Sequence, residues 1–217
     1  RSEHILTSRY KPIRFSSNSQ NVQRLITLLY ENSKAILSEY NECTFYFTGK
    51  DALINLFNEI KKAKHSVHLE YFTIRDDQTG NCLKEILLNK LNENVEVRII
   101  YDAVGSWRTK RNFWEDLRKS GAECYPFSPL LFPYLSSKLN YRDHRKIAII
   151  DGNVSFIGGV NIGNQYMGLS KRYSLWADAH LKIIGEASAL IQQMFLLDWV
   201  FVSKKNFPIS RYFPEIN

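Results

Sequence analysis

The sequence is poor in cysteine. Its 217 residues include three, Cys43, Cys82 and Cys124. They are scattered, odd in number and without C-x2-C or any related metal spacing. This argues against a disulfide framework and reads as buried or free thiols of a cytosolic type. Long apolar runs are missing too. No stretch approaches the roughly 18 consecutive apolar residues of a membrane helix, and no leader peptide is visible. The expectation is a chain that is soluble or peripheral to a membrane, with an anchor upstream of Arg1 left open. There is no internal repeat and no low-complexity segment. No metal or cofactor is implied.

What is present is a globular composition, 44% hydrophobic and 24% charged, long enough for one sizeable domain with its own core. The net charge is +7, with a pI near 9.2. That balance favours an anionic partner: nucleic acid, an anionic membrane surface or a phosphate substrate.

Residues 1–20 are polar and basic and read as an arm or linker; residues 21–217 form the domain. Apolar residues at helical spacing predict an amphipathic helix over 21–39. The run Cys43–Thr48 reads as a strand, and Gly49-Lys50-Asp51 turns the chain and caps a helix. Strand His65–Thr73, a turn at Gly80 and helix Cys82–Leu91 follow. Strand Val95–Tyr101, helix Arg111–Ser120 and a strand from Cys124 come next. The remaining elements are strands His144–Ile150, Val154–Ile157 and Leu175–Ile184, then a helix Ala187–Trp199. Alternation of this kind argues an α/β domain with a mostly parallel sheet.

One constellation carries chemistry. His144, Lys146, Asp151, Gly158 and Asn161 fit H-x-K-x4-D-x6-G-x2-N. On a strand His144 and Lys146 face the same way, about 7 Å apart. A neutral imidazole can attack phosphorus. Lys146 and the Asn161 amide can hold phosphoryl charge, and the leaving alkoxide needs a second acid. Asp151 starts a turn and can accept from neighbouring donors, while Gly158-Gly159 permits close backbone approach. The shorter His180-Leu181-Lys182 lacks both the aspartate and the G-x2-N. It reads as ordinary strand residues, so the motif stands alone.

The segment Lys138–Tyr166 resembles the phospholipase D superfamily, and within it bacterial-type cardiolipin synthases. The resemblance spans about residues 45–200, including H-L-E-Y-F around Glu70, V-E-V-R-I-I-Y-D-A-V-G and Trp176–Asp178. It implies two similar lobes sharing one site, this chain being a single phospholipase D-type lobe. Its sheet would be mixed, mostly parallel and flanked by helices on both faces. His144 would then be the nucleophile or its partner acid, forming a phospho-histidine intermediate. Lys146 and Asn161 would bind phosphate, and Asp151 would complete the catalytic set. Glu70, Arg142 and Gly159 would line the substrate, and Asp178 would orient the histidine of the opposite lobe. Trp176-Ala177-Asp178-Ala179 departs from the synthase pattern, which has arginine after the tryptophan and threonine at 179.

Two further segments bear on the partner. Residues 126–135 are apolar, aromatic and broken by proline, suited to dip into lipid or to pack on a second lobe. Trp107–Trp114 interleaves bases and aromatics. It suits an anionic headgroup surface or single-stranded nucleic acid, or is a helix start with core aromatics.

Three readings stay open. The first is the N-terminal lobe of a phosphatidyltransferase acting on phosphatidylglycerol, membrane-associated and partnered by a second lobe in cis or by another copy. Water in place of the acceptor alcohol would make it a phospholipase D. The second is a homodimeric single-motif phosphodiesterase or nuclease. The third is an inactive lobe that binds anionic lipid.

Overall fold

The structure is a computed structural model; it describes residues 19–33, 35–127, 142–172, 174–205 and 209–213. In chain order the elements are α1 (Gln20–Ser33), β1 (Asn41–Thr48), α2 (Gly49–Lys62), β2 (Ser66–Tyr71), α3 (Gln78–Asn92) and β3 (Glu96–Asp102). They continue with α4 (Arg111–Lys119), β4 (Glu123–Phe127), β5 (Lys146–Ile150), β6 (Val154–Gly158), β7 (Ala177–Gly185) and α5 (Glu186–Ser203). A 3-10 turn, Ile209–Tyr212, follows.

The strands form one sheet in the order β1-β7-β6-β5-β2-β3-β4. The sheet is mixed, but antiparallel pairings outnumber parallel ones, against expectation. Between the named strands, parallel pairing is confined to β2–β3 and β3–β4, where α3 and α4 supply the crossovers. The other four pairings are antiparallel. For β5 and β6 the reason is local. Asp151 and Gly152 have φ of 52° and 70°, giving a tight turn between β5 and β6 that is far too short for a crossover.

Side chains from α2, α3 and α4 bury one face of the sheet around Leu53, Leu87, Leu117, Leu69 and Phe156. Helix α5 covers the other through Phe195, Leu196 and Trp199 against Ile100, Ile147 and Ile149. Helices therefore lie on both faces. Capping fixes two of them. Thr48 Oγ1 accepts the Asp51 amide at 3.1 Å and donates to Asp51 Oδ2 at 2.7 Å, an N-cap worth about 1 kcal/mol. Asp77 caps α3 by accepting from the Gly80 amide at 3.1 Å. Gly80 thus lies inside the first helical turn rather than before it, and a Cβ there would fall 1.7 Å from the Arg75 carbonyl oxygen.

Helix α1 ends at Ser33, short of the expected 39, and buries none of its residues. Strand β5 starts at Lys146, so His144 precedes it. The expected arm lies almost wholly outside the described residues, as does most of the proline-broken segment, from 128 onward. Pro126 itself sits on β4, an edge strand, where a missing amide donor is tolerated.

Candidate active site

The C-terminal ends of β2, β3, β4 and β6 and the N-terminal ends of β5 and β7 share one edge of the sheet. His144 and Lys146 stand there. The ladder runs one bond beyond β5, from the Phe72 amide to the Arg145 carbonyl at 3.0 Å. His144 is exposed and leans on the Phe72 ring, centroids 4.8 Å apart. Lys146, 5% exposed, places Nζ 5.3 Å from the centroid of the same ring and donates to the His144 carbonyl. One aromatic plate therefore carries both side chains. Burial lowers the Lys146 pKa below its ordinary value, against the opposing pull of the Asp143 and Asp178 carboxylates.

Asn161 lies on the segment that follows β6, which runs parallel to residues 73–75 through the bridge Ile74↔Ile162. Its Oδ1 accepts the Thr73 amide at 3.0 Å and its Nδ2 donates to Tyr166 Oη at 2.9 Å. The amide group is held in one orientation beside Phe72, with one N–H left over. Gly159 donates its amide to the Ala179 carbonyl at 3.0 Å. A Cβ on Gly159 would fall 2.0 Å from Asp178 Oδ1, so glycine is what lets Asp178 approach. Asp178 Oδ2 accepts from Trp176 Nε1 at 3.1 Å and Oδ1 from the Ala179 amide at 2.8 Å. His180, next along β7, is buried. Burial takes its imidazole down to about 4 against the pull of Asp178, which leaves it neutral.

Two expected site residues stand elsewhere. Asp151 lies at the opposite end of β5. Its carboxylate accepts the amides of Lys64, His65 and Ser66 at 2.8–2.9 Å, clamping the start of β2. Glu70 lies on the other face of the sheet. It pairs with Ile147, which packs under α5, whereas Lys146 pairs with Tyr71 of the opposite core. Glu70 is fully buried beside Asp143 and Asp198, with Arg145 Nη1 3.3 Å from its Oε1 and also donating to Asp198. Burial, reinforced by Asp143 and Asp198, pushes the Glu70 carboxyl far above its ordinary range although Arg145 opposes it. Burial also raises Asp143 and Asp198. Three carboxyls crowded together with one guanidinium disfavour full ionisation of the group.

Arg142, half-buried, sits 3.8 Å from Asp102. Asp102 organises the whole edge. Its Oδ1 accepts the Val104 and Gly105 amides at 2.8 and 2.9 Å, and its Oδ2 accepts the Asp143 amide at 3.1 Å. Residue patterns alone did not single out Phe72, Asp102 or Asp198. Asp198 had a readable signal, being the one charged residue between Ala187 and Ser203. Phe72 had none, because its role is to be a surface under two other side chains.

The lobe and its edge site together define a phospholipase D-type α/β unit. Residues 56–199 match the family described as "Cardiolipin synthase, PLD-like domain", and the chain belongs to that family. It is 41% identical over 193 residues to a cardiolipin synthase of Geobacillus sp. (strain WCH70), covering 88% of this chain and 38% of that protein. It is 43% identical over 213 residues to one of Listeria welshimeri, covering 96% and 44%. The chain thus spans less than half the length of these relatives. Among solved structures it resembles NucT from Helicobacter pylori with TM-score 0.59, 18% identity and coverage of 75% of this chain and 98% of NucT. Phosphatidylserine synthase from Haemophilus influenzae gives 0.55, 16%, 73% and 36%. At those identities the likeness is one of fold.

Proposed function

We propose that this chain is the catalytic lobe of a phosphatidyltransferase that makes cardiolipin from phosphatidylglycerol. The observation that carries the chemistry is the shared Phe72 plate, with an exposed His144 beside a buried Lys146. The lipid substrate is supported by the cardiolipin synthases among its relatives.

In this reading the neutral His144 imidazole attacks phosphorus of one phosphatidylglycerol. The bond to the glycerol headgroup breaks, and the departing alkoxide takes a proton from an acid on a second lobe. Lys146 and the free N–H of Asn161 hold the phosphoryl oxygens, whose charge is concentrated in the transition state. A hydroxyl of a second phosphatidylglycerol then attacks phosphorus, gives up its proton to that same group and releases His144. Asp178 is assigned to orient the histidine of the second lobe, with Gly159 keeping the space open. Arg142 acts through Asp102 and Asp151 through the β2 clamp; both position rather than touch substrate. Glu70 sets Arg145 from the opposite face. The second lobe comes in cis or from another copy, and the enzyme works peripherally at a membrane. Among the described residues no helix is long and apolar enough to cross one.

A second reading is a single-motif phosphodiesterase that pairs two copies. The lobe covers 98% of NucT and 95% of Nuc from Salmonella typhimurium, so one lobe can make up nearly an entire chain of this fold. Incubation with phosphatidylglycerol vesicles and with supercoiled DNA, beside a His144→Ala control, separates the two. Cardiolipin without nicking supports the first reading and nicking without cardiolipin the second. Equal product from the control would overturn the nucleophile assignment in both. The solution mass then tests the second lobe, since rapid turnover of phosphatidylglycerol by a proven monomer would contradict the need for one.

A further inference from the structure

The segment Trp107–Trp114 divides in the fold. Phe113 and Trp114 are core residues, 3% and 4% exposed, and Trp114 stacks on Tyr101 at 3.8 Å. Trp107 is 69% exposed. An indole in water costs free energy, and this one is held there by a rigid turn. The Trp107 amide donates to the Val104 carbonyl, and the Ser106 amide to that of Asp102. Ser106 Oγ donates to the Phe72 carbonyl and accepts the Ile74 amide. Thr109, buried, donates to the Ile74 carbonyl. A Cβ on Gly105 would lie 2.1 Å from the Phe72 carbonyl oxygen. The turn is thus fixed to the residue that carries His144 and Lys146.

Bases follow the indole in the chain, and one stands against it. The Arg108 guanidinium stands 5.0 Å from its ring centroid. Lys110 and Arg111 have side chains 78% and 89% exposed, the former 4.0 Å from Asp76 and the latter paired with Glu115 at 2.6 Å. No acidic residue occurs between Ala103 and Arg111. On the connection from β6 to β7, Leu169 and Leu175 are 49% and 65% exposed. A fixed exposed indole set among bases is suited to the boundary between anionic headgroups and acyl chains, where Trp seats its ring and cations meet phosphate.

We propose that the turn at 103–111 is an interfacial foot that seats the site edge on an anionic phospholipid bilayer, with Trp107 entering the acyl boundary. The proposal rests on the lipid reading above and names the surface through which the lobe meets its substrate. It makes the sheet edge, not a helix face, the membrane-facing side.

The test uses vesicles of phosphatidylglycerol with brominated acyl chains, read by quenching of tryptophan fluorescence. The protein carries His144→Ala so that nothing turns over. Trp114 and Trp199 are buried and Trp176 half-buried, so Trp107 dominates any contact signal. Expected are quenching with phosphatidylglycerol and little with phosphatidylcholine. Trp107→Phe should abolish the quenching, and Arg108→Glu with Lys110→Glu should weaken vesicle affinity roughly tenfold or more. Absence of quenching overturns the proposal, as does quenching that survives Trp107→Phe. So does a single-stranded oligonucleotide that engages Trp107 more tightly at the same salt. Cardiolipin formation by the unmodified protein is scored separately. With a second lobe present, quenching without cardiolipin removes the enzyme reading and keeps the foot; cardiolipin without Trp107 quenching does the reverse.

Discussion

Strand β5 has two unlike ends. At one, His144 stands in water beside Lys146, with few bonds of its own and an aromatic ring beneath it. At the other, Asp151 takes a left-handed turn and spends its carboxylate on three backbone amides. The first end is loosely committed and chemically free. The second gives most of its acceptor capacity to the backbone at the start of β2. A motif written as one string, H-x-K-x4-D, thus joins an exposed histidine and a buried lysine at one end of the strand to a structural clamp at the other, with the four intervening residues spanning the buried core. Lys146 and the x4 together are the five residues of the strand.

Substitutions at the two ends should separate activity from stability. Activity is best read with bis(p-nitrophenyl) phosphate, whose leaving group departs without a proton and so bypasses the second lobe. His144→Ala should lower p-nitrophenol release by about 10³-fold or more, while its urea midpoint shifts little because the side chain is exposed. Lys146→Met should cost about 10²–10³ in rate through lost charge stabilisation. Asp151→Ala should do the converse. Three amides lose their acceptor, for roughly 2–4 kcal/mol of stability by urea unfolding, with turnover per folded molecule largely kept. A large rate defect in a fully folded Asp151→Ala protein would erase the distinction between the ends.

A smaller effect tests the opposite face of the sheet. Glu70 has a raised folded pKa. Its contribution is therefore fully present below its unfolded value, near 4.5, and is lost as pH rises toward the folded one. Glu70→Gln removes that loss. Between pH 5 and 8 the variant's stability should fall less steeply than wild type in urea titrations. Parallel curves would mean that Glu70 is not the group holding the proton.

Much of this was legible in the residues. The alternation of strands and helices and the place of the lobe in its family could be read directly, because periodicity and caps act locally. Partner direction could not. The turn at 151–153 was legible, but that it closes a hairpin with β5 and β6 antiparallel rests on the positive φ of Asp151 and Gly152. Glu70 was visible as a costly carboxylate in an apolar strand. Which face it occupied depended on pairing with Ile147, a register no single strand encodes. Asp151 looked catalytic because spacing does not reveal that a buried strand separates it from His144. Trp107 and Trp114 looked alike in the string; only the anchored turn sends one outward and the other into the core.

The central claim is that the reactive end of β5 works through His144 as nucleophile, and a covalent trap addresses it directly. The chain is incubated with bis(p-nitrophenyl) phosphate, quenched, and read by intact mass and peptide mapping under conditions that preserve phosphoramidates. The predicted result is one p-nitrophenyl phosphoryl adduct on the peptide bearing His144, present in wild type and in Asp151→Asn and absent in His144→Ala. An adduct that persists in His144→Ala, or p-nitrophenol release by wild type without any adduct at His144, would contradict the account.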